Sequence, residues 1–290
     1  MSNNNNHIKF NTRIIFPDNI EAETQVIEQV IITLCLLPVD VIDISFASPS
    51  INLVKAASQK AQNIFTAHFN DKFQLPLIQA SVKCSDYLQD ENIFSTPALK
   101  DIDLFELNIN IQDDEAILNA FTAMISAQAI KDFYTVNLNR KHHSNSQLKM
   151  LIDRFYELVP NDALHICVNG DEEDFDSCGD DYFNAVQAIA TCDILLKDLK
   201  IRHRKKYKNL KIYLTDEVNQ KTIALARLCE LDLDGFSFGS HSSEAFLGPL
   251  IQELANSSLS SLNSYNDYND LIKLCIENFM DYNFNFYNYK

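Results

Sequence analysis

Two carboxylates stand where acid/base chemistry would need them. Glu106 lies in LFELNINI, where Phe105, Leu107, Ile109 and Ile111 alternate with Glu106, Asn108 and Asn110. In a strand of period two, the apolar set packs on one side and the polar set points to the other. Asp43 alternates in the same way with Ile42 and Ile44 in VDVIDIS. Inward carboxylates accompanied by amides form either a satisfied polar layer or a site in which one group accepts and the other returns a proton.

Other segments carry chemistry of different kinds. The stretch NGDEEDFDSCGDD (169–181) packs seven acids into thirteen residues. The segment reads first as a solvated acidic loop; its Asp171, Asp174 and Asp176 are secondary candidates as oxygen ligands for a hard cation, because the spacing is not that of an EF-hand. The pair His142-His143 in NRKHHSNS is expected in an exposed loop, because adjacent side chains of an extended segment point apart and cannot easily share a metal. DGFSFGSHSSEAFLG (234–248) holds three of the chain's five glycines, Gly235, Gly239 and Gly248. Backbone N–H groups at Gly239 and Ser240, opening a helix, would suit a phosphate. No P-loop, nucleophile elbow, H-E-x-x-H or C-x-x-C is present, so no motif by itself makes the chain an enzyme.

These groups need elements to position them, and the hydrophobic pattern supplies a regular alternation. Strand patterns fall at 8–15, 39–45, 75–82, 104–111, 133–139, 164–169, 210–215 and 234–240, with helical patterns such as NLVKAASQKAQNIFTAHF and SQLKMLIDRFYELV between them. Eight such units with short connections predict an α/β fold, a (β/α)8 TIM-type barrel over 1–255. An open doubly wound sheet shares the alternation but opens on a glycine-rich turn, which FPDNIEAE after the first strand lacks. Residues 256–290 read as a linker, a short helix LIKLCIENFM and an aromatic, Asn-rich tail packing on the barrel or on a partner. Ligand groups in a barrel come from the C-terminal strand ends. The expected set is therefore Glu106 and Asp43 as catalytic candidates, with Asn108, Asn110, Asn169, Asn219, Gly239 and Ser240 around a ligand.

Composition narrows the function classes. The formal net charge is −16, so the field of the chain repels nucleic acid and anionic membranes. Seven dispersed cysteines read as reduced thiols rather than as a disulfide framework. No transmembrane segment, signal peptide or transit segment is recognised, which gives a soluble, intracellular expectation in the cytoplasm or a plastid stroma. Against the acidic background, KDLKIRHRKKYKNLK (197–211) holds eight of the 24 basic residues. It is either a docking surface for an acidic partner or a solvated helix end.

Several of these segments resemble one family. VDVIDISFASPSINLVKAA, LPLIQASV, DLFELNIN, VNGDEEDFDSCGDD and the stretch from YLTDEVNQKTIALARL to DGFSFGSHSSEAFLGPL are similar to units of the light-dependent period (LdpA-like) proteins, over roughly residues 25–250. That family has a Gly-Gly-Thr-Asn turn after its seventh strand; here Asp216-Glu217-Val218-Asn219 keeps only Asn219, while Gly239 and Ser240 are retained at the eighth. Its ferredoxin-type cysteines follow the third strand, where this chain has Cys84 alone, too few for an iron–sulfur cluster. The resemblance implies a barrel that has lost its redox module: a non-catalytic or degenerate accessory subunit of a larger photosynthetic or organellar assembly. Its protein partners would bind through 197–211 and the C-terminal tail, with no cofactor. The alternative is a barrel lyase, isomerase or flavin-linked oxidoreductase that takes FMN or another phosphorylated ligand at the eighth-strand loop.

Overall fold

The structure, a computed structural model, describes residues 11–15, 22–37, 39–44, 51–69, 75–99, 102–127, 133–139, 143–159, 163–169, 181–215, 225–226, 228–231, 233–238, 240–257 and 262–281. Its strands are β1 (Asn11–Ile15), β2 (Val41–Asp43), β3 (Leu77–Lys83), β4 (Leu104–Ile109), β5 (Tyr134–Asn139), β6 (Leu164–Asn169), β7 (Lys211–Leu214) and β8 (Gly235–Phe238). Each pairs in parallel with its sequence neighbours, and β1 pairs both with β2 (Arg13↔Val41) and with β8 (Arg13↔Ser237). The fold is α/β around a curled, all-parallel sheet whose strand order runs from β1 to β8 and returns to β1. Helices α1 (Thr24–Cys35), α2 (Ile51–Phe69), α3 (Cys84–Gln89), α4 (Asp114–Ala127), α5 (Asn145–Leu158) and α6 (Asp181–Leu195) follow β1 to β6 in turn. After β7 there is a helical turn at Leu225–Ala226, and α7 (Ser240–Asn256) follows β8.

Alternation along the strands divides the sheet into two faces. On β4, Phe105, Leu107 and Ile109 join the main core with Ile117, Phe121 and Met124 of α4 and Leu148, Leu151 and Phe155 of α5. Phe121 and Phe155 meet at 4.4 Å between ring centroids. Burial of each such side chain contributes about 1.5–3 kcal/mol before entropy is counted, so this layer clamps the helices onto the sheet. Val41, Leu104, Glu106, Cys167 and Tyr213 are buried apart from that core, on the inner face.

Helix starts show local chemistry that the hydrophobic pattern alone does not. Ser144 and Gln147 make a capping box for α5, Gln147 N–H donating to Ser144 Oγ and Ser144 N–H to Gln147 Oε1 at 2.9 Å. His143 directly precedes this cap and is buried rather than lying in an exposed loop, because a side chain just before an N-cap turns in against the first turn. The helix expected over 271–280 begins earlier: α8 spans Tyr265–Asp281. Its start is set by Ser264-x-x-Asp267, whose carboxylate accepts from the N–H groups of Ser264 and Asn263 at 2.8 and 2.9 Å.

α8 lies against α1, α2 and α7. Tyr268 is fully buried and donates to Gln29 Oε1 on α1, and Tyr265 stacks on His68 at the end of α2 at 4.2 Å. Backbone donation from Asn263, then the bonds from Ser264, hold the Asp267 carboxyl below its ordinary value. A carboxyl depressed in the fold stabilises above its unfolded value and loses that contribution as pH falls through its folded value. On acidification below about pH 4, the α8 cap is therefore expected to open, read as loss of the near-UV circular dichroism of Tyr268. Asp267→Ala should show the loosened signal at neutral pH and no further change with acid; an unaltered signal in that variant would contradict the cap assignment.

Candidate functional site

The inner face carries a compact polar cluster contributed by β2, β3, β4, β5 and β6. Register sets it up: Asp43 pairs with Gln79, Ser81 with Glu106, Asn108 with Asn137, and Asn137 with Cys167. Residues in register across parallel strands face the same way, so these side chains converge. Asp43, Gln79 and Glu106 are 1%, 1% and 3% exposed, and Ser81 is half-buried.

Within the cluster, two neutral side chains bridge the two carboxylates. Ser81 Oγ lies 2.6 Å from Asp43 Oδ2 and 3.2 Å from Glu106 Oε1. Gln79 Nε2 donates to Asp43 Oδ2 at 2.6 Å and to Glu106 Oε2 at 3.4 Å. Asn137 Nδ2 donates to Glu106 Oε1 at 3.3 Å, and Cys167 Sγ reaches Glu106 Oε2 at 3.5 Å. A hydroxyl has one proton, so Ser81 donates to only one of the two carboxylates at a time. That arrangement allows relay: a proton received by Ser81 Oγ from one carboxyl group moves the hydroxyl's own proton on to the other. Beside the cluster, the inner face of β5, β6 and β7 carries rings, Phe133 stacked on His165 at 3.9 Å and His165 tilted against Tyr213 at 5.4 Å.

The expected site residues divide in several ways. Glu106 and Asp43 are brought together. Asn108 is the penultimate residue of β4, half-buried and in register with Asn137 and with Lys83, which is exposed. Asn110, beyond the end of β4, accepts from Ser85 N–H at 3.1 Å and donates to Ser85 Oγ at 2.8 Å, so its amide ties that strand end to the start of α3. Asn169 ends β6 and Ser240 opens α7. Asn219, Gly239, Asp171, Asp174 and Asp176 lie outside the described residues, as does the tail after Asp281. Among the described residues no group of three His, Cys, Asp or Glu is placed to hold a metal, and no helix is long and apolar enough to cross a membrane. Gln79 and Cys167 complete the cluster without having been singled out in the sequence. The available signal was Gln79 two residues from Ser81 within LIQASV, a polar side chain among Ile78, Ala80 and Val82.

Two other chemical features resolve plainly. Much of the basic segment is internally paired: Lys197 with Asp193 at 2.7 Å, Lys200 with Asp234 at 2.6 Å, Arg202 with Asp198 at 2.6 Å, and Lys206 with Asp153. Arg204, Lys205 and Lys208 are exposed on the turn beyond the π-helical segment Leu196–Arg202, beside Ile201 at 70% exposure. Among the cysteines, burial pushes Cys35, Cys84, Cys192 and Cys275 up to about 12. A thiol is nucleophilic only as thiolate. Of the six described cysteines, the exposed Cys229 is expected to be alkylated by iodoacetamide near pH 8, and the buried ones to react only in urea. Peptide mapping checks this; rapid native labelling of Cys192 would contradict it.

No family model matches the chain, and no curated protein matches it in sequence. Among solved structures that match is KDPG aldolase from Legionella pneumophila, with pyruvate captured at low pH as a covalent carbinolamine intermediate. That match has a TM-score of 0.42 at 14% identity, over 91% of this chain and 92% of that one. At that score the likeness carries no functional argument.

Proposed function

We propose that this chain is a (β/α)8 TIM-type barrel that catalyses proton transfer on a small ligand, as a lyase or isomerase, with Asp43 and Glu106 as the acid/base pair. The observation that carries this reading is the shared Ser81 hydroxyl between two buried carboxylates. Burying carboxylates on an inner face is costly, and neutral donors only partly offset it. An aliphatic layer would fill the same space more stably, which favours a working role for the pair. One carboxylate removes a proton from a carbon beside a carbonyl, the C–H pair staying on the ligand as an enolate. Ser81 passes a proton between the two acids, and the other acid returns a proton to the neighbouring atom or to the leaving group. Ser81, the half-buried member, is the one that meets the ligand. A phosphate on the ligand would fall at the N-terminus of α7, whose first residue is Ser240.

The test is a screen of small carbonyl compounds for solvent deuterium incorporation, followed by NMR with the full chain. Exchange at a carbon beside a carbonyl above the buffer rate supports proton transfer; buffer rates throughout overturn it.

A second reading rests on the exposed Ile201, Arg204, Lys205 and Lys208. In it the chain is an accessory subunit, of LdpA-like descent, that docks an acidic partner on this turn, opposite the strand ends where a ligand would enter. Loss of a co-purifying partner from native extract on charge reversal of Arg204 and Lys205 would favour it, and a partner unaffected by the change would count against it.

A further inference from the structure

We propose that Gln79 is the group by which the inner face recognises a ligand hydroxyl, and that the part of the ligand held beside it is neutral and bears several hydroxyls. The inference rests on the inner face being a ligand site, as proposed above. Gln79 is 1% exposed and its amide is oriented by chemistry: both N–H groups face carboxylates, Asp43 at 2.6 Å and Glu106 at 3.4 Å. Turning the amide over would set its carbonyl oxygen against Asp43, so the orientation is fixed. Its Oε1 is thereby directed away from the pair and has no hydrogen-bond partner among the described residues. A buried carbonyl oxygen without a donor is destabilising, and a donor from a bound molecule removes that cost.

The chemistry of that donor follows from its surroundings. Asp43 Oδ2 and both oxygens of Glu106 already accept from Gln79, Ser81, Asn137 or Cys167. An ammonium group would have to displace those donors, whereas the open acceptor is a neutral amide oxygen, which suits a neutral hydroxyl. Two nearby carboxylates disfavour an anionic group at the same depth. Asn108 and Asn137, in register above on β4 and β5, add amides that both donate and accept, as successive hydroxyls require. A carbon chain bearing several hydroxyls therefore fits better than a single alcohol.

The experiment uses the full chain with erythritol, D-ribose, D-xylose and myo-inositol at millimolar concentration. Binding is followed by saturation-transfer NMR and by the side-chain amide resonance of Gln79. At least one probe is expected to bind, to move that resonance, and to lose about tenfold or more in affinity in Gln79→Met, which keeps length but has no acceptor. Failure of all four probes to bind the wild type, or equal affinity in Gln79→Met, overturns the proposal. Should that variant not fold, the wild-type resonance decides: unmoved at saturation, it overturns the assignment. Polyol binding without any deuterium exchange leaves hydroxyl recognition standing while removing the proton-transfer reading. Exchange that is indifferent to Gln79→Met does the reverse.

Discussion

Glu106→Gln is expected to lower the rate of ligand deuterium exchange by about 10²–10⁴-fold while the fold stays intact. The amide conserves the volume of the carboxyl group but cannot take up a proton. Its new donor falls best at the Oε2 position, where the contacts to Gln79 and Cys167 are the longest, 3.4 and 3.5 Å. Loss of two long contacts costs no more than about 1 kcal/mol, so activity and stability should separate. Ser81→Ala should slow exchange by a smaller factor, about 10–100-fold, because the carboxylates remain and only the relay between them is cut. Were the cluster merely a satisfied polar layer, the pattern would reverse, with stability falling for Ser81→Ala and Glu106→Gln and no exchange to lose. Chemical denaturation of each variant beside its exchange rate distinguishes the two.

The second large effect is structural and lies at the opposite end of the sheet. Asp234 stands just before β8, where its Oδ2 accepts from Ile212 N–H of β7 at 2.8 Å and from Lys200 at 2.6 Å. Asp103, just before β4, accepts from Ile78 N–H of β3 at 2.9 Å in the same manner. Both belong to matching strings, DIDLF (101–105) and DLDGF (232–236). Each carboxylate thus satisfies a backbone donor that the neighbouring strand starts too late to reach. Asp234→Ala strands the N–H of the fully buried Ile212 and releases Lys200 from the end of the π-helical segment. The expected loss is about 2–4 kcal/mol in urea denaturation, against about 1–2 kcal/mol for Asp103→Ala, which has no lysine partner. Asp234→Asn should recover part of the difference. A loss below about 0.5 kcal/mol for Asp234→Ala would show that water replaces the carboxylate freely.

Strand positions were legible because inner and outer faces differ in kind. Phe105, Leu107 and Ile109 against Glu106 and Asn108 is a pattern that only a strand with two distinct environments satisfies. The pairing of Asp43 with Glu106 was legible only as far as both being inward, because register across β2, β3 and β4 sets whether they meet. Gln79 and Ser81 lie between them on β3 and supply the bridging donors, a relation that becomes visible once Asp43 pairs with Gln79 and Ser81 with Glu106. The start of α8 was hidden differently: LNSYNDYND has the composition of a linker, yet Ser264 and Asp267 are spaced as a cap. In the basic segment the cations were evident, but their acidic partners Asp153 and Asp234 are distant in sequence.

The most direct measurement of the proton-transfer pair is a double-variant comparison of exchange rates: wild type, Asp43→Asn, Glu106→Gln and the two together. Groups that act as one unit through Ser81 give non-additive losses, the double variant no slower than the slower single by more than about threefold. Multiplicative losses would show two carboxylates acting independently, and a wild type that exchanges no faster than buffer would contradict the pair as a catalytic site.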